Sequence, residues 1–285
     1  MFYSIYRSTV RNMVRSVTFW LCVSILLVVT VETGLRTVYG VFDPDLGEMI
    51  WDSDPRYVLE HMPYIQQVNN SISRLMVYIL PCFYVITTVI ILARDLGDGF
   101  FEIEKAGGVK PLRYLAARIT ALFSINAIVS LIAGVISLQI YVLTRGGVSG
   151  MAFWEYFADG TFRVIRSGII RILPCMAFYI CLTYCLGSLT KSRIAASVGG
   201  LSYMLFCYFN NLFNVTKEGL FVEYLTPNPF KLQMYMHYFG TDSHEDLIEI
   251  MNTSAWDALL CILFLCGCGG IFSLISWWNI RKRTV

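Results

Sequence analysis

The sequence predicts an all-α polytopic membrane protein with six transmembrane helices, and three observations carry that prediction. First, its 285 residues are 56% hydrophobic and only 15% charged, too little polar surface to coat a soluble globule of that size. Second, the stretches free of Asp, Glu, Lys and Arg at 17–31, 75–93, 119–144, 172–190, 194–216 and 258–280 approach or exceed the roughly 20 residues that cross hydrocarbon as a helix. Third, these are continuous apolar runs, not alternating ones, which disfavours a transmembrane β-barrel.

Taken in order, residues 1–16 read as a basic amphipathic helix lying on the membrane surface, with Arg7, Arg11 and Arg15 ahead of the first run. No A-x-A-like cleavage site follows that run, so it is expected to be a retained span extended to 17–39. The remaining spans are 75–93, 119–144, 172–190, 194–216 and 258–280, all within one transmembrane domain, 1–285.

Basic residues set the orientation, because Lys and Arg resist translocation. With six spans, both termini and residues 94–118 share a side that holds 13 of the 22 basic residues against four acidic ones, a net of +9. The opposite side has nine basic and 16 acidic residues, a net of −7. Both termini are therefore expected in the cytoplasm of a multi-pass cell-membrane protein. The external segments, 40–74, 145–171 and 217–257, are expected to be re-entrant or capping structure, too short for a separate folded domain.

The nine cysteines all lie inside predicted spans, which argues for apolar packing thiols in place of a disulfide framework. His61, His237 and His244 all fall in external segments, leaving no intramembrane histidine to pair with a nucleophile or bind zinc. Neither a metal site nor a catalytic constellation is predicted, no cofactor is expected in this chain, and nothing points to nucleic acid. Glu32 is the only candidate for a charged relay within the spans, with Arg36 one turn on; an interfacial ion pair and a part in an outer gate are both open.

The charged, glycine-containing run between spans two and three is FEIEKAGGVKPLRYLAAR, residues 101–118. Its glycines lack the G-x-x-x-x-G-K-[ST] spacing of a phosphate-binding loop. The reading is a short cytoplasmic helix over 99–106, broken at Gly107 and Gly108, with Pro111 starting the helix that becomes the third span. A charged turn between spans is the alternative. Aromatic and amide side chains suited to an amphipathic ligand recur in spans two and five: Tyr78, Phe83 and Tyr84, then Tyr203, Phe206, Phe209 and Asn210. Helix packing would explain the same residues. Asn211 and Asn214 stand near the outer end, where they join Glu32 and Arg36 as candidates for an outer gate.

This layout resembles the membrane subunit of bacterial ABC-2 type transporters and is similar to those that export peptides and antimicrobial peptides. The resemblance covers essentially the whole chain: amphipathic amino-terminal helix, six spans, a coupling helix between spans two and three, and re-entrant structure between spans five and six. Glu104, Gly107, Pro111 and Arg118 fit the family's pattern at the entry to span three, although the spacing from Gly107 to Arg118 is shorter than usual. The resemblance implies a permease homodimer without an ATPase site of its own, docked on two copies of an ABC ATPase subunit that holds ATP and Mg. Phe100, Phe101, Glu102, Glu104, Lys105, Gly107 and Gly108 would then form the coupling element. Membrane lipid and an amphipathic peptide or lipophilic substrate would be its other partners. A non-transporting sensor or immunity protein is the alternative from another class.

Overall fold

The computed structural model describes residues 1–35, 40–43, 48–51, 75, 79–97, 107–144, 153–212 and 255–282. Among them, seven helices are found: α1 (Phe2–Val14), α2 (Val17–Leu35), α3 (Leu80–Gly97), α4 (Pro111–Thr144), α5 (Phe153–Thr190), α6 (Arg193–Leu212) and α7 (Ala255–Lys282). The exception to an all-helical fold is a hairpin of β1 (Gly40–Asp43) and β2 (Glu48–Trp51), antiparallel with Gly40 opposite Trp51 and Asp43 opposite Glu48. Helices are the expected answer to these apolar runs, since every backbone N–H and C=O finds its partner within the segment. Three stretches are long and apolar enough to cross a membrane: Pro111–Ser137, Ile172–Thr190 and Leu259–Lys282. A fourth arises if α1 and α2, bent by 65°, count as one broken span.

The bend between α1 and α2 has a local cause. Arg15 and Ser16 close the last turn of α1 on Arg11 and Met13, and the indole of Trp20 donates to the Val14 carbonyl at 2.7 Å, satisfying an acceptor that the helix end leaves orphaned. α5 and α6 are joined through Lys191, which takes a left-handed conformation (φ 55°), and Ser192, whose hydroxyl accepts from the Ala195 N–H at 3.3 Å. Gly108, at φ 78°, supplies a left-handed residue in the turn before α4, which begins at Pro111 as the sequence suggests; the expected helix over 99–106 lies outside the described residues.

Two boundaries differ from expectation. Residues 145–171 were expected to form an external segment, yet helix α5 already starts at Phe153 and runs 38 residues, about 57 Å. The apolar run marks only the part that hydrocarbon can hold, and no proline interrupts the polar part before Pro174. At the other boundary, α3 continues to Gly97, past the run ending at 93, which puts Asp95 on a helix and not in a loop.

The Ile172–Thr190 part of α5 is the axis of the bundle, 78% buried, with α3, α4, α6 and α7 packed around it. Phe178, Tyr179, Ile180 and Tyr184 fill its faces, and Phe178 meets Tyr203 and Phe272 with ring centroids 5.3 and 5.8 Å apart. By contrast Leu259–Lys282 of α7 is apolar yet only 17% buried, which is stable when lipid is the surrounding solvent. Gly200 of α6 lets three helices approach: a Cβ there would stand 2.9 Å from the Thr183 hydroxyl and 3.0 Å from both Val85 methyls. Overpacking of that kind costs about 1–3 kcal/mol. Gly200→Val is therefore expected to lower the thermal unfolding midpoint in detergent by several degrees, whereas Gly270→Ala, which faces open space, leaves it unchanged or raised.

Candidate functional site

Asp95 lies in the last turn of α3, where the helix dipole presents partial negative charge and a carboxylate is unfavourable by itself. Its compensation comes from Arg118, two turns into α4. The Arg118 Nη2 stands 2.7 Å from Asp95 Oδ1, and the two side chains are only 2% and 6% exposed. The Tyr184 hydroxyl of α5 donates to Asp95 Oδ2 at 2.9 Å. On the cation's side, Nη1 donates to the Thr9 hydroxyl of α1 at 2.6 Å and Nη2 to the Tyr114 hydroxyl at 3.1 Å. Tyr114 precedes Arg118 by four residues and so shares its helix face; its ring lies under the guanidinium, 5.0 Å away. The Thr9 hydroxyl donates a hydrogen bond to the Ile5 carbonyl at 2.7 Å, which leaves its oxygen lone pairs to accept from Arg118.

Four helices thus converge on one buried ion pair. From there a polar seam runs between α3 and α4. The Thr87 hydroxyl donates to the Asn126 amide oxygen at 3.0 Å, Asn126 Nδ2 donates to the Leu122 carbonyl at 2.8 Å, and the Tyr84 and Ser130 hydroxyls meet at 2.9 Å. On α4 the members fall at intervals of four, Arg118, Leu122, Asn126 and Ser130, which is one helical stripe. Leu122 and Ile91, both fully buried, fill the step between the ion pair and the first amide.

What this arrangement can do chemically follows from its burial. Neither ion is presented to a substrate, and the remaining members are hydroxyl, phenol and amide groups already engaged with one another. It ties α1, α3, α4 and α5 to one another in a fixed register. The ion pair, at one end of the seam, joins the two helices that flank residues 98–110 in the sequence, the segment in which the coupling element was predicted.

Of the predicted coupling residues, Gly107 and Gly108 form the turn before α4, while Phe100, Phe101, Glu102, Glu104 and Lys105 lie outside the described residues. So do Tyr78 of the substrate path, Arg36 and Asn214 of the gate, and all three histidines. Phe83 and Tyr84 are core residues, 2% and 0% exposed: Phe83 packs on Phe19 with centroids 6.2 Å apart, and Tyr84 belongs to the seam. Tyr203 is half-buried against Phe178 and 6.1 Å from the ring of Phe206; Phe206 and Phe209 are exposed. The structure thus brings Tyr203 and Phe206 together and keeps Phe83 and Tyr84 packed inside the bundle. Asn210 and Asn211 are in the last turn of α6, and Glu32 is exposed near the end of α2. All nine cysteines are free thiols.

Sequence reasoning counted Asp95 as one more loop charge and missed Thr9, Tyr114, Tyr184 and Asn126. A signal existed: a carboxylate two residues beyond an apolar run, at a helix end, calls for a cation, and Arg118 opens the next run at the same depth. No protein family matches the chain, and no curated protein is found similar to it.

Breaking a buried pair by neutralising one partner leaves an uncompensated charge and costs about 3–5 kcal/mol, while replacing both with apolar groups of similar size is close to neutral. Asp95→Asn is expected to destabilise the bundle by that amount, and the double variant Asp95→Asn, Arg118→Met to recover most of it. Equal destabilisation of the single and double variants, read by thermal unfolding in detergent, would show that the pair is not the organising contact.

Proposed function

We propose that the chain is the permease subunit of an ABC-2 type exporter, a six-span homodimer in the cell membrane with both termini cytoplasmic, which couples ATP hydrolysis by a separate ATPase subunit to export of an amphipathic substrate, in the first instance a peptide. The observation that supports it best is that the buried Asp95–Arg118 pair joins α3 and α4, the two helices that flank residues 98–110 in the sequence. A loop pushed by a partner moves the bundle only if its two flanking helices are joined to each other and to the rest. Here α3 and α4 are joined by the ion pair, to α5 through Tyr184 and to α1 through Thr9. The amphipathic α1, the helices that overlap each of the six apolar runs, three or four of them long and apolar enough to span, and the start of α4 at Pro111 are consistent with the same reading.

In this reading Phe100, Phe101, Glu102, Glu104, Lys105, Gly107 and Gly108 meet the ATPase, which supplies ATP and Mg. Tyr203, Phe206, Phe209 and Asn210 line the substrate path together with Tyr78, and Phe83 and Tyr84 support the wall from behind. Glu32, Arg36, Asn211 and Asn214 stand at the outer gate. The exposed rings of Phe206 and Phe209 would be covered by substrate or by the second protomer.

Affinity purification of the chain from its native membrane is expected to recover an ATPase subunit in equal number. Recovery of none supports the sensor or immunity alternative. Reversing Glu102, Glu104 and Lys105 together should abolish substrate-stimulated hydrolysis while the permease stays folded; full stimulation in that variant would falsify the coupling assignment. The Asp95→Asn, Arg118→Met double variant should keep the ATPase bound and hydrolysing but lose most transport. Alanine at Tyr203 and Phe206 should shift the order of preference among transported substrates without lowering expression, and an unchanged order across such a panel removes them from the path.

A further inference from the structure

The helix α1 carries four distinct stripes at 100° per residue. Ile5, Thr9 and Met13 form the buried one, each at most 1% exposed. Arg7, Arg11 and Arg15, all exposed, lie nearly opposite it, about 160° around the axis. A quarter turn from both is an apolar stripe of Tyr3, Tyr6, Val10 and Val14, and facing that stripe across the helix are Ser4, Ser8 and Asn12. Rotation about the axis is fixed, because Thr9 is held by Arg118 at 2.6 Å and Ile5 packs with Val109, Tyr114 and Ala117.

These constraints orient the helix. Its 65° bend from α2 turns it toward the membrane plane, and Trp20, an indole at the corner with 54% exposure, marks the level of the headgroups. With the apolar stripe in the acyl boundary and Thr9 against the bundle, the arginine stripe points outward, away from protein, at headgroup depth. Among the described residues none of the three guanidinium groups meets a carboxylate. Three cations spaced about 6 Å apart along one exposed edge complement a row of phosphates.

We propose that Arg7, Arg11 and Arg15 form a binding rail for the phosphate headgroups of anionic lipid on the outer edge of α1. The inference needs only a membrane around the bundle and is independent of whether the chain transports anything. Through Thr9, a lipid held there also fixes the helix that supports Arg118.

The test uses the purified full chain in detergent, titrated with phosphatidylglycerol or with phosphatidylcholine of the same acyl chains and read by native mass spectrometry. A basic residue at an anionic surface favours binding by about fivefold, so the three together are expected to make phosphatidylglycerol bind at least tenfold more tightly than phosphatidylcholine after screening. Arg7→Gln, Arg11→Gln, Arg15→Gln should remove that preference, and the matching triple lysine variant should keep it, with helix content and elution volume unchanged in both. A folded glutamine variant that keeps the preference overturns the proposal, as does a lysine variant that loses it. Displacement of phosphatidylglycerol by inorganic phosphate at similar concentration also overturns it, because the site then takes a free anion. So does loss of the preference on Arg281→Gln, Lys282→Gln with the rail intact, which places the site at the end of α7.

Discussion

A carboxylate and a guanidinium taken together out of water lose hydration that only close pairing and further hydrogen bonds replace. Asp95 and Arg118 meet that demand by drawing one hydroxyl from each of three elements, Thr9 of α1, Tyr114 of α4 and Tyr184 of α5. The positions of those helices at this end of the bundle follow from the requirement that both ions be covered. A pair of this kind contributes little net stability over an apolar substitute, but it tolerates few other arrangements. Its value to the molecule lies in allowing one geometry.

The contrast with the far side of α5 is instructive. α3 and α4 are joined by side chains that must meet specific partners: an ion pair, a threonine-asparagine contact and a tyrosine-serine contact. α5 and α7 touch through small and soft groups, with a Cβ at Gly269 lying 3.4 Å from the Ala177 carbonyl and the Ser273 hydroxyl 3.2 Å from the Cys181 sulfur. Polar pairing between helices in lipid is worth about 0.6 kcal/mol per contact on average, so the first interface is distinguished less by strength than by being intolerant of sliding. The second relies on shape instead, with Phe272 edge-on to Phe178 and Gly269 close against Ala177. The bundle therefore combines a helix pair tied by specific polar partners with a peripheral helix held by packing.

Much of the fold was legible because hydrocarbon imposes a simple rule. A continuous apolar run has only one way to satisfy its backbone, and the helices fall where the runs are, down to Pro111 as the first residue of α4. The rule is silent outside the hydrocarbon, which is why the first part of α5, with Glu155, Asp159 and Arg163, was expected to be loop. The site was legible in position but not in substance. Gly107, Pro111 and Arg118 pointed to the right stretch of chain, yet the partners of Arg118 stand 109 residues away at Thr9 and, through Asp95, 89 residues further on at Tyr184. A single threonine on an amphipathic helix, or one tyrosine within an aromatic-rich span, carries no local mark of such a contact. The aromatic residues were misjudged for a related reason: Tyr84 and Tyr203 are alike in sequence, and only packing makes one a core residue and the other half-exposed.

The wide separation along the chain of the groups that cover the ion pair also sets an order of assembly during synthesis. Asp95 and Arg118 are near enough in sequence to meet as soon as α3 and α4 have both been made, when only a short separation along the chain must close. Thr9 has by then been waiting at the membrane surface on a helix already made. Tyr184 does not exist until α5 has followed, so the nascent hairpin holds a half-covered ion pair for the time needed to make some 66 further residues, on the order of several seconds at ribosomal rates. Water at the interface can hydrate the exposed carboxylate oxygen over that interval, which a pair at the centre of the bilayer would not allow. The depth of the pair, at the end of the bundle and not its middle, is thus the depth at which an incomplete intermediate can survive until its last hydroxyl arrives.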